Sequence, residues 1–102
     1  MISVIKEKQE KLLQLCLKFR VKNLYLFGSA VNDKFYSPES DLDFLVVFES
    51  VTPEEHAQLY FGLLQELQDL FGREIDLVEL GAIRNPYFRE GVESSRVIIY
   101  AA

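Results

Sequence analysis

The sequence predicts an α/β or α+β fold in which helices pack on a small sheet. Three observations carry that expectation. Segments of helical periodicity alternate with short apolar runs, and one run, residues 42 to 48 (LDFLVVF), is almost continuously apolar. The longest helical segment also has explicit start and stop signals. With 102 residues, 49% of them hydrophobic and eight Phe and five Tyr among them, the chain can bury a real core. One domain over residues 1–102 is expected.

The elements follow in order. Residues 3 to 19 read as one helix with Val4, Ile5, Leu12, Leu13, Cys16 and Phe19 on its apolar stripe. Cys16 there is a small core residue. Residues 22 to 27 (KNLYLF) form a first strand ended by Gly28. Residues 42 to 48 form a second, central and covered on both faces. In "VTPEEH", Thr52 caps a helix, Pro53 takes its first position and Glu55 completes a capping box. That helix buries Leu59, Leu63, Leu64, Leu67 and Leu70 and stops at Gly72. His56 in its first turn, among glutamates, reads as solvated. A third strand, 73 to 80 (REIDLVEL), carries Asp76 in its middle. A turn at Asn85-Pro86, a short helix and a strand at 97 to 100 complete the pattern. Tyr87, Phe88 and Tyr100 are expected to fill the core rather than to present a docking surface.

Charge and cysteine content narrow the function. The formal net charge is -5 with no block of Lys or Arg, so nucleic acid is not expected as a direct substrate. The single cysteine permits no intrachain disulfide, which points to a reducing cytoplasm. No segment approaches the roughly 20 apolar residues of a membrane span.

The chemistry is concentrated in "LYLFGSAVNDKFYSPESDLDFLVVFES", residues 24 to 50. Asp41 and Asp43 are two apart at a strand entrance, so their side chains share a face across about 6.6 Å of strand rise. Such carboxylates repel, and one is pushed toward protonation. A divalent cation between them reverses that sign. Carboxylates completed by water and phosphate oxygens suit Mg²⁺, and two such ions can clamp an in-line phosphoryl displacement. Asp76 is a third carboxylate if its strand pairs beside the second. Gly28 permits close backbone approach, and the turn after it offers N–H groups and the Ser29 hydroxyl to phosphate oxygens. Taken singly, each residue is ordinary turn or strand-end chemistry. The joint pattern is not.

Gly28-Ser29 followed after a loop by Asp41-Leu42-Asp43 resembles the signature of the DNA polymerase β nucleotidyltransferase superfamily. The ending "NPYFREGVESSRVIIY" is similar to its minimal nucleotidyltransferase (MNT) branch. The resemblance implies a small mixed β-sheet flanked by helices, with ATP as substrate and two Mg²⁺ ions. The implied reaction moves AMP to a hydroxyl with loss of pyrophosphate. Gly28 and Ser29 would hold the triphosphate, Asp41 and Asp43 the metals, and Asp76 would be the third metal-site carboxylate, activating the acceptor. MNT proteins of this kind resemble the antitoxin half of toxin–antitoxin pairs. The implied acceptor is a tyrosine of a HEPN-type ribonuclease toxin. The alternatives are a non-catalytic antitoxin that neutralises its partner by stoichiometric contact, and a small-molecule adenylyltransferase working with a separate substrate-binding subunit. One departure stands out. Family members often carry Arg soon after the Gly-Ser pair, where this chain has Ala30, Val31 and Asn32, leaving Lys34 as a point charge.

Overall fold

A computed structural model describes residues 3–28 and 41–102. The order of elements is α1 (Ser3–Glu7), α2 (Gln9–Lys18), β1 (Val21–Phe27), β2 (Leu42–Phe48), α3 (Pro53–Phe71), β3 (Ile75–Glu79), a 3₁₀ turn (Leu80–Ala82), α4 (Pro86–Ser95) and β4 (Val97–Ala101). The strands form one mixed sheet in the order β3-β2-β1-β4. β2 is antiparallel to β1 and parallel to β3, while β4 is antiparallel to β1 at the opposite edge. No helix of the described residues is long and apolar enough to cross a membrane.

β2 is central, as its apolar run predicts, and its alternation builds two cores. Leu42, Phe44 and Val46 are fully buried against Leu12 and Cys16 of α2 and Leu63 and Leu67 of α3. Leu45 points the other way, to Phe27 and to Val92 of α4. α1, α2 and α3 therefore cover one face and α4 the other. The odd-numbered residues that precede Leu45 are Asp43 in β2 and Asp41 just before the strand. The carboxylates thus lie on the α4 face, at the end of the sheet where β2 and β3 begin.

α3 follows its start and stop signals, except that the Glu55 carboxylate accepts from Arg20 Nη1 at 3.2 Å instead of closing the expected capping box. The Thr52 hydroxyl accepts from Glu55 N at 3.2 Å, Pro53 starts the helix, and Gly72 closes it at φ 64, in the left-handed region. The Tyr60 hydroxyl, donating to Leu77 O at 2.6 Å, ties α3 to β3. At α4 the Asn85 side chain accepts from the backbone N–H groups of Tyr87 and Phe88. Burial in the first core pushes the Cys16 thiol up to about 12, so it stays an inert thiol.

Four other expectations need correction. The first helix is two, broken at Lys8, because residues 6 to 11 (KEKQEK) give a continuous helix no apolar anchor. Leu13 is 46% exposed, being one residue round from the buried Leu12. His56 is half-buried, not solvated: its Nε2 meets Glu79 Oε2 at 2.8 Å and its ring edge packs on Phe48. Tyr87 is 84% exposed and Phe88 49%, because both follow the Asn85 cap in the first turn of α4, whereas Val92 supplies its buried contact. Of the three aromatics only Tyr100 packs against the core.

Candidate active site

The register of the sheet decides where the acidic residues meet. Phe27 of β1 pairs with Asp43 of β2, and Asp43 pairs with Asp76 of β3. Residues level on neighbouring strands point to the same face, with the strands about 4.8 Å apart. Asp76 therefore stands beside Asp43, with Asp41 two residues back along the chain, just before β2. Parallel pairing of β2 with β3 is the step that the sequence leaves open, and it brings the third carboxylate in.

The electrostatics match the crowding. Burial first, then the charges of Asp76 and Asp41, push the Asp43 carboxyl up from 3.8 to about 6. Asp43 is the half-buried member; Asp41 and Asp76 are exposed. Desolvation and two like charges therefore fall on one carboxylate. The same causes reach α3, where burial, Glu79 and Asp76 raise the Tyr60 phenol.

Gly28 shapes the other wall. Its φ is +75, a conformation that costs an L side chain about 1–2 kcal/mol. A Cβ at this position would fall on Asp43 Oδ2, with Asp43 Cγ only 3.1 Å away. Glycine is thus required twice, for its backbone and for the space the Asp43 carboxylate occupies. Gly28→Ala is expected to lower stability by about 1–2 kcal/mol from backbone strain alone. Pyrophosphate release should fall further than that, because the Asp43 carboxylate must turn away. Thermal melts run beside an activity assay check this; wild-type activity in the variant would show that the close contact is incidental. Ser29, Lys34 and the other residues of 29–40 lie outside the described residues.

The donor set fits a hard divalent cation. It consists of carboxylate oxygens only, and the charge strain on Asp43 is what a cation would relieve. Among the described residues no three His, Cys, Asp or Glu side chains converge into a ready metal cage. What they offer is a partial shell, as suits an ion that keeps waters and binds phosphate oxygens.

A sheet that gathers such carboxylates beside a glycine turn defines a class, and the comparisons agree. The chain belongs to the nucleotidyltransferase domain family, whose pattern matches residues 5–99. Among curated relatives it is 37% identical to "Putative protein adenylyltransferase MJ0128" of Methanocaldococcus jannaschii, over 96% of this chain and 97% of that one. Among solved structures it resembles a "putative minimal nucleotidyltransferase", at 29% identity and TM-score 0.66, covering 91% of this chain and 90% of the other. A toxin–antitoxin structure with AMP-PNP matches with TM-score 0.67 at 20% identity, over 92% of this chain and 73% of that one. A complex of tri-AMPylated Shewanella oneidensis HEPN toxin with MNT antitoxin matches with TM-score 0.64 at 18% identity, over 95% and 72%. Those last two likenesses bear on the fold alone.

Proposed function

We propose that this chain is a minimal nucleotidyltransferase domain, residues 1–102, acting as a protein adenylyltransferase and as the antitoxin of a HEPN-type toxin. The acceptor in this reading is a tyrosine hydroxyl of that partner, and the donor is ATP. The observation that carries the reading is the row formed by Asp43 and Asp76, with Asp41 behind it and Gly28 against it. The 37% identity to a relative named as an adenylyltransferase supports the choice of AMP and of a protein acceptor. The fold shared with an AMPylated HEPN–MNT complex supports the partner.

Each residue has a task in this mechanism. Asp41 and Asp43, and Asp76 in part, would hold two Mg²⁺ ions. Bound there, Mg²⁺ would neutralise the triphosphate and stabilise the attacking and leaving oxygens. Gly28 and Ser29 bring backbone N–H groups and a hydroxyl to the phosphates. Asp76 accepts the proton of the incoming hydroxyl. The acceptor oxygen bonds to the α-phosphorus, the bond from that phosphorus to the bridging oxygen breaks, and pyrophosphate leaves with the electron pair. Asp43 sets the charge of the site and must be ionised to serve.

Titration calorimetry with ATP, with and without Mg²⁺, tests the metal assignment. ATP is expected to bind with Mg²⁺ and to lose most of its affinity in chelator. Equal affinity in both would overturn the role given to the carboxylates.

A second reading is stoichiometric neutralisation without turnover. Exposed Tyr87 and Phe88 favour it, since they offer an aromatic contact beyond the C-terminal end of β3, away from the carboxylates.

A further inference from the structure

Arg96 stands between α4 and β4. Its backbone N–H donates to Val92 O, and its guanidinium carbon lies 4.2 Å from the centre of the Tyr25 ring. The stacking fixes its face. Tyr25 is level with Leu45 and packs in the α4-side core, so Arg96 lies on the face that carries Asp43 and Asp76. The register fixes its row. Leu26 pairs with Val97, which brings Arg96 level with Phe27; Phe27 pairs with Asp43, and Asp43 with Asp76. Across the sheet one row reads Asp76, Asp43, Phe27, Arg96. Two strand spacings put the Arg96 backbone about 10 Å from that of Asp43.

Arg96 makes no ion pair with Asp41, Asp43 or Asp76 among the described residues. Its Nη1 is buried and has no hydrogen-bond partner among the described residues. Stacking on Tyr25 and proximity to the C-terminal end of α4 explain the positive charge. Neither supplies an acceptor for Nη1, and a buried guanidinium N–H without one is costly.

We propose that Arg96 is a substrate-binding residue that holds the β- and γ-phosphates of the nucleoside triphosphate. It would take the part left open by Ala30, Val31 and Asn32 after the Gly-Ser pair. The assignment rests on the nucleotidyltransferase reading above. A phosphate chain that begins at the carboxylates and crosses past Gly28, which follows Phe27 in the row, meets Arg96 at the far side. The planar guanidinium fork matches phosphate oxygens, and Nη1 gains its missing acceptor.

The test compares Mg-ATP and AMP binding to the wild-type chain, Arg96→Met and Asp43→Asn by calorimetry, with thermal melts of each. Arg96→Met is expected to weaken Mg-ATP at least tenfold while AMP affinity stays within about twofold. Equal losses for both ligands, or none, would reduce Arg96 to a structural stacking residue. Asp43→Asn tests the underlying reading separately: if it and Arg96→Met both bind Mg-ATP as wild type does, the carboxylate site fails as well. A wild-type chain with no ATP affinity would overturn both. Should Arg96→Met fail to fold, the Arg96 side-chain Nε–H resonance of the wild-type protein decides. It should shift with Mg-ATP and stay in place with AMP; no shift with Mg-ATP overturns the assignment.

Discussion

Asp76→Asn is expected to reduce AMP transfer by about 10²–10⁴-fold while Mg-ATP affinity changes little. The substitution keeps the shape of the side chain and removes its ability to accept a proton. The register supports this division of labour. Asp43 lies in β2 with Asp41 just before it, whereas Asp76 comes from β3 and is exposed beside Asp43, open to an incoming hydroxyl. AMP incorporation into the purified partner, followed by intact mass, gives the rate, and a toxin-neutralisation assay gives the biological readout. Lost transfer with lost neutralisation supports catalysis as the function. Lost transfer with intact neutralisation favours stoichiometric binding, for which Tyr87 and Phe88 supply a surface. Full transfer would mean that another group takes the proton.

How much of this was legible in the sequence depends on the range of the interaction concerned. Thr52, Pro53 and Gly72 act within one turn of chain, and the helix they predict begins and ends as expected. The apolar run of β2 is also local evidence, and its central place is borne out. Asp41 and Asp43 share a face because the strand period is two, which any strand assignment provides. The neighbour of Asp43 is a different matter. Its pairing with Asp76 joins residues 33 apart in sequence through parallel pairing, and no local signal states it. The packing of Gly28 on Asp43 is likewise tertiary, although glycine at the end of an apolar run was a fair hint. His56 misled because its glutamate neighbours suggest solvent, while the residue that holds it, Glu79, comes from β3. Arg96 gave no signal in its own segment. Its stacking on Tyr25 places it on the carboxylate face, and the register of the sheet gives its row.

Asp43→Asn is expected to stabilise the metal-free protein and to disable it. The Asp43 carboxyl holds its proton more tightly in the folded chain, with its pKa raised from 3.8 to about 6 by burial and by Asp76 and Asp41. Such a group contributes stability that is fully present below about pH 4 and is lost as the pH rises through 6. At pH 7.5 the ionised carboxylate is therefore a burden on the fold. Its removal is worth about 1–2 kcal/mol once solvent screening of a partly exposed group is allowed for, or several degrees in Tm. Melts in chelator should show the variant above wild type at pH 7.5 and the difference vanishing near pH 4. Added Mg²⁺ should reverse the order, since a cation between the carboxylates stabilises the wild-type chain and finds one ligand charge fewer in the variant. Transfer by Asp43→Asn should fall with its loss of Mg-ATP binding. A variant less stable than wild type in chelator at pH 7.5 would show that Asp43 serves the fold, and a gain that persists unchanged at pH 4 would show that its charge is not the burden. The opposite signs expected for stability and activity follow from one cause: Asp43 is kept half-buried under the like charges of Asp76 and Asp41, which costs the fold and serves the site.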